Sequence, residues 1–293
     1  MSSYIQEPSW QQDETNTPVI NDPLAAIYNE NQWKVNKVSP LFNLQYGTIK
    51  LKQYASKIRQ EIGSLVAVNT SSSFKVQFET QPLLKFTGSD PDGLMITVSL
   101  SQERNNVIKI VYSCILMCWG ASSKVPNATH LPYMLERGEQ KVGAAVKKAL
   151  QKIFDCHINQ FTFTQHHLLQ FGFNFVENNT SRSTDPFVLV YTTPQVDEKE
   201  ELRLTFSIGD VQIIWNGVKK EVNATSELVN LAYQMLQNQI IYMIEIDITA
   251  LDLCEISSPK GEVKRNSTVK MKTPEMVNTV FTVLNEICDI RDS

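Results

Sequence analysis

The chain is most informative first for what it does not contain. No stretch of about 18 consecutive apolar residues occurs, so no segment reads as a membrane-spanning helix. The longest apolar run, Cys114 to Trp119, has the length of a core strand. There is no Gly-x-Gly-x-x-Gly, no phosphate-binding P-loop and no Gly-x-Ser-x-Gly elbow. Gly138 and Gly143 have the P-loop spacing, but Ala144-Ala145 stand where Lys-Ser/Thr would be needed. The opening residues Met1 to Pro18 lack a basic region followed by an apolar one, so no secretory signal is expected there. Triplets of the form N-x-S/T, such as those at Asn127, Asn178, Asn179, Asn223 and Asn266, are then chance. Cysteines are five, an odd number spread along 293 residues, which fits reduced thiols in an intracellular protein better than a disulfide framework.

What is present is an ordinary globular composition, 42% hydrophobic and 20% charged, with ample material for a core. The net charge of −4 argues against a protein that depends mainly on DNA affinity, although it leaves room for a local basic patch.

Catalytic and metal-binding constellations are weak. Cys114 and Cys118 lie four apart in an apolar strand with no second pair to complete a tetrahedral site, so both read as core residues. Cys156-His157 and His166-His167 are sequence neighbours whose side chains diverge, and Asp90-Pro-Asp92-Gly93 is turn chemistry. No enzyme, cofactor or metal reading finds residues to stand on.

Periodicity divides the chain into three. Residues 1–37 are polar, with scattered apolar residues, and read as a disordered tail. The cluster Leu24 to Tyr28, with Trp33 beyond, is a candidate docking motif or a transient helix. Residues 38–176 contain a helix at 48–62, alternating strands at Phe74–Phe78 and Leu94–Leu100, and a strand at Val107–Trp119 whose second half is covered on both sides. They continue with a helix at 139–154, a strand at 158–163 and a helix at 165–175. After the polar break at 177–184, residues 177–293 carry strands at 187–191 and 202–208, a short helix capped by Asp210, and a strong helix at 227–243. A bulged strand from Ile244 to Leu253, a polar strand at 263–271 and a last helix opened by Thr273-Pro274-Glu275 complete the chain. The expected fold is α+β: two tandem α/β halves, each with an antiparallel sheet and helices on one face.

Two basic features stand out. On the helix at 139–154, Lys141, Lys148 and Lys152 fall opposite the apolar stripe, with Lys147 at the edge and Arg137 added if the helix starts that early. Lys260, Lys264, Arg265, Lys270 and Lys272 lie on or beside the polar strand. Either is a solvated face or a set of phosphate contacts, and no interleaved aromatics offer base stacking.

Particular residues carry a family resemblance. Ser39-Pro-Leu-Phe-Asn-Leu44 followed by Leu51-Lys-Gln-Tyr54, Leu131-Pro-Tyr-Met-Leu135, Gly138, and Leu150-Gln-Lys-Ile-Phe-Asp-Cys156 resemble the centromere protein L family of inner-kinetochore subunits. The order of elements, including the strand ending in Trp119-Gly120 and the short helix holding Trp215, follows that family over residues 38–290. The resemblance implies a curved, saddle-like architecture and a non-catalytic scaffold of the nucleus and kinetochore. It implies pairing with centromere protein N, and contact with other inner-kinetochore subunits and, indirectly, with the centromeric nucleosome. Its shared groove would touch DNA backbone, which suits Arg137, Lys141, Lys147, Lys148 and Lys152 here, with Lys264, Arg265, Lys270 and Lys272 as a second set. Its partner contact lies in the C-terminal half, so an edge at Glu245–Leu253 or Val263–Met271 is expected to pair with the partner, through Ile246, Ile248, Leu251, Val263, Val269 and Met271. The competing expectation is a stand-alone saddle-shaped nucleic-acid-binding protein of the recombination-associated type, which would hold DNA as a monomer at physiological salt.

Overall fold

The computed structural model describes residues 22–30, 32–66, 72–102, 107–121, 125–177, 182–193, 201–221, 225–245 and 247–292. The elements in chain order are α1 (Ala25–Tyr28), β1 (Gln32–Val38), β2 (Leu41–Phe42), α2 (Thr48–Leu65), β3 (Ser72–Gln81), β4 (Gly93–Gln102) and β5 (Val107–Met117). Next come β6 (Ala128–Thr129), β7 (Tyr133–Gly138), α3 (Gln140–Phe154), β8 (Ile158–Gln160) and α4 (Gln165–Glu177). The chain ends with β9 (Pro186–Thr192), β10 (Glu201–Ser207), α5 (Ile208–Val218), α6 (Thr225–Ile244), β11 (Asp252–Ser257), β12 (Gly261–Lys264), β13 (Thr268–Met271) and α7 (Pro274–Asp292).

One 11-stranded sheet runs through the molecule in the order β10-β9-β11-β12-β13-β1-β7-β5-β4-β3, with β8 beside β1, and it does not close into a barrel. Every pairing in it is antiparallel. The expected α+β class with helices laid on an antiparallel sheet is therefore the observed one.

A single sheet, rather than one for each expected half, carries helices on both faces. Tyr54, Ile58 and Ile62 of α2 and Val142, Val146 and Leu150 of α3 pack on Ile96, Val98, Cys114 and Met134. Helices α1 and α4 to α7 pack on the other face, over Trp33, Val35, Leu135, Val263 and Val269. Adjacent residues on the shared strands serve different cores: Cys114 and Met134 one, Ile115 and Leu135 the other. This alternation is the period-2 rule of a strand buried on both faces, and it explains the uniformly apolar second half of β5.

Three expectations change. Residues 24–38 are not tail: α1 is ordered, and β1 lies mid-sheet between β13 and β7, with Trp33 buried and its Nε1 donating to the Ile27 carbonyl at 2.9 Å. Trp33 and Val35 are the inward positions of a strand whose other residues are mostly Gln, Lys and Asn, so polar composition hid the alternation. Residues 1–21 lie outside the described residues, as do 178–181 of the polar break. The strand expected from Ile244 is instead the end of α6, then a left-handed Glu245 (φ 55°) and a loop, and pairing starts at Asp252. The bulge exists, but inside β11, between Leu253 and Glu255. The cap of α5 is Ser207, whose hydroxyl accepts from the Asp210 N–H at 3.2 Å, one turn earlier than expected.

Candidate nucleic-acid interface

Helices α2 and α3 form the outer layer of the N-terminal half. Their apolar stripes hold them to the sheet and to each other, with the Tyr54 and Phe154 rings edge-to-face at 4.9 Å. The residues left outside are mostly cationic. Helix α2 contributes Lys50, Lys52, Lys57 and Arg59, all exposed, and α3 contributes Lys141, Lys147, Lys148 and Lys152. Against these eight cations the two helices carry one carboxylate, Glu61. A chain of net charge −4 thus places eight of its 27 lysines and arginines in one layer. Both helices lack an acidic residue in the first turn, while Lys50 and Lys141 sit there, against the helix dipole.

The root of α3 is rigidly defined. Gly138 turns the chain with φ +112°, where a Cβ would stand 2.3 Å from the Val111 carbonyl oxygen, and the Glu139 N–H then donates to that carbonyl at 2.9 Å. Only glycine fits there. On the preceding strand the buried Glu136 carboxylate accepts from the Tyr112 hydroxyl (2.8 Å), the Asn36 amide (3.0 Å) and Lys147 Nζ (2.6 Å). Gly143 makes room for this cluster, since a Cβ there would meet the Tyr112 ring at 2.7 Å. Tyr112, Glu136 and Lys147 line a groove of about 740 Å³, together with Lys34, Ser113 and Arg137.

Of the cations expected on α3, Lys141, Lys148 and Lys152 are exposed, and Lys147 is partly drawn in by Glu136. Lys148 and Lys152 both reach Glu61, at 2.9 Å each, and these two hydrogen bonds hold the Glu61 carboxyl below the usual carboxylate range. Arg137 is not on the helix, which starts at Gln140. It lies near the end of β7, pairs with Glu30 and sits over the Trp33 ring at 5.4 Å.

Three of the second basic set, Lys264, Arg265 and Lys270, are already matched by carboxylates. Lys264 bridges Glu255 (2.6 Å) and Glu262 (3.3 Å), Lys270 pairs with Glu262 (2.7 Å) and Arg265 with Asp252 (3.4 Å). Lys272 donates to the Pro259 carbonyl at 2.7 Å. Burial works against the Glu262 carboxylate, but Lys270 and Lys264 outweigh it and lower its pKa. Burial likewise works against the Lys264 ammonium, but its two carboxylates hold it above its ordinary value. The polar strand of the sequence is this β12–β13 hairpin, and its charges satisfy one another across the strands.

The residues expected at a partner-facing edge lie in the interior. Val263, Val269 and Met271 are fully buried, Ile248 is 1% exposed, Leu251 packs against the same core, and Ile246 is outside the described residues. Strands β11, β12 and β13 each have a partner on both sides. Among the described residues of this sheet β3, β10 and the short β8 each pair with one strand only. Sequence reasoning missed this because edge status depends on β1, which reads as tail from its composition. It also missed the cations of α2, although Lys-x-Lys-x-x-x-x-Lys-x-Arg with a single carboxylate beyond was visible from Lys50 to Glu61.

The five cysteines are thiols not joined in disulfides, and burial pushes the Cys118 and Cys156 thiols up to about 11, so neither is poised as a nucleophile. Among the described residues no cluster of His, Cys, Asp and Glu could hold a metal ion, and no helix is long and apolar enough to cross a membrane. A family model described as Centromere protein L matches residues 27–290. None of the curated proteins compared with the chain matches it.

Proposed function

Because the chain belongs to the centromere protein L family, a family of structural inner-kinetochore subunits, we propose that it is a non-catalytic scaffold that pairs with centromere protein N and helps anchor the assembly at centromeric chromatin. The family membership, which spans residues 27–290, is the observation that carries this reading. It supports a role at the centromere and in chromosome segregation.

Auxiliary contacts to DNA backbone come from the α2–α3 layer, through Lys141, Lys148 and Lys152, joined by Lys50, Lys52, Lys57 and Arg59 on α2. Phosphate contacts of this kind position a duplex without reading its sequence. The matched hairpin cations make no such contribution.

The partner docks along the open edge of β10, which among the described residues pairs with β9 alone. An edge strand offers a row of free backbone donors and acceptors to a second chain. We keep the division into two halves meeting near residues 177–185 as part of this proposal, with the C-terminal half facing the partner and the N-terminal half facing DNA.

Co-expression with centromere protein N followed by size-exclusion chromatography tests the pairing. A stoichiometric complex that Thr205→Pro disrupts supports it. Elution of the two chains apart contradicts it, and tight monomeric DNA binding at physiological salt would then move the weight to the stand-alone nucleic-acid-binding reading.

A further inference from the structure

We propose that Lys148 and Lys152 form a seat for one backbone phosphate of duplex DNA, and that Glu61 occupies this seat in the free chain as a built-in stand-in for the phosphate. The inference rests on reading the α2–α3 layer as a DNA interface, and it concerns how that interface is regulated.

Lys148 and Lys152 are four residues apart, so they stand one above the other on the same face of α3. Their ammonium groups each lie 2.9 Å from Glu61, but on different oxygens: Lys148 on Oε1 and Lys152 on Oε2. The carboxylate is therefore gripped as a two-oxygen anion between two cations. A phosphodiester presents the same pattern, two anionic oxygens on one central atom, and charge-assisted hydrogen bonds to it are of the same kind. Two of the three, Glu61 and Lys152, line a cleft of about 320 Å³ between the helices, together with Lys57, Gln60 and Ser64. Both lysines are at least half exposed, whereas the Glu61 side chain is 16% exposed. The cations are thus available to an incoming duplex while the stand-in sits beneath them.

Glu61 is also the single carboxylate of α2 and α3. No other group in those helices can neutralise their cations internally. Its presence lowers the effective charge of the seat from two to one. A duplex docking on the layer must share these lysines with Glu61 and bring a phosphate close to a carboxylate, which weakens binding and flattens its salt dependence.

The experiment uses the full chain and a fluorescently labelled random-sequence duplex, with binding followed by anisotropy between about 50 and 200 mM salt. Glu61→Gln keeps the side chain's size and removes its charge. The expected result is binding about fivefold tighter near 0.15 M salt, with the slope of log K against log salt steeper by about 1 to 2. Adding Lys148→Ala and Lys152→Ala to Glu61→Gln should abolish that increase. Unchanged or weaker binding by Glu61→Gln, with wild type binding normally, overturns the stand-in and makes Glu61 a residue that orients the lysines. Failure of the wild-type chain to bind the duplex at the lowest salt overturns the DNA reading, and the seat with it.

Discussion

Two regions of this molecule carry clusters of lysine and arginine, and they differ in what stands opposite each cation. On the β12–β13 hairpin, Lys264, Lys270 and Arg265 face Glu255, Glu262 and Asp252 across neighbouring strands. On α2 and α3, eight cations face one carboxylate within their own helices and one, Glu136, at the root of α3. The difference is that between charges neutralised across neighbouring strands and charges with few carboxylates opposite them. Counting basic residues along a sequence does not separate the two; the positions of the carboxylates do.

The largest expected effect comes from reversing the open cluster. Lys50→Glu, Lys57→Glu, Arg59→Glu and Lys148→Glu together should lower duplex affinity by about 10³-fold or more near 0.1 M salt, since each removes a phosphate contact and adds a repulsion. Equal loss on reversing Lys264 and Lys270 would break the comparison. Next in size is Glu136→Ala, which leaves Lys147, the Tyr112 hydroxyl and the Asn36 amide without their common acceptor. It should cost about 3–5 kcal/mol in urea unfolding, whereas Glu136→Gln, which keeps an acceptor oxygen, should cost less.

Smaller effects sharpen the hairpin side. Lys264→Ala removes the cation between two largely buried carboxylates and should cost about 1–2 kcal/mol with no change in DNA binding. The pH dependence carries the same signature. Glu262 has a lowered pKa in the folded chain, so its contribution is present above its unfolded value and is lost as pH falls through the folded one. Lys264 has a raised pKa, so its contribution is present below its unfolded value and is lost as pH rises through the folded one. Hydrogen exchange of the hairpin amides, corrected for the intrinsic pH dependence of exchange, should therefore lose protection at both extremes of pH and stay flat between them. Duplex binding by α2 and α3, which contain no histidine, should not change between about pH 6 and 8. The smallest effect belongs to Lys219→Ala, which breaks a surface pair with Glu177 and should cost at most about 1 kcal/mol in thermal unfolding.

Much of the fold was legible because its elements bury regular patterns. The alternation of Leu94 to Leu100, the stripe of Val142, Val146 and Leu150, and the Thr273-Pro274 helix start each reflect one local rule. β1 was not legible: its apolar residues are sparse, and its burial comes from β7, about a hundred residues later in the chain. The Ile244 to Leu253 segment misled because isoleucines at alternate positions fit a strand, while the preceding helix had the length to absorb the first of them. For the candidate site, the cations of α3 were readable and those of α2 were overlooked. That α2 and α3 lie side by side is a tertiary fact, as is the neutralisation of the hairpin lysines. The interior place of the strands expected at a partner-facing edge was unreadable for the same reason, since interior and edge strands share one alternation.

The most direct measurement is the salt slope of duplex binding for two alanine sets. One removes Lys50, Lys52, Lys57 and Arg59; the other removes Lys264, Lys270 and Lys272. The account predicts that the first set flattens the slope by about 3 to 4 and the second leaves it unchanged. An unchanged slope for the α2 set, or an equal loss for the hairpin set, would contradict it.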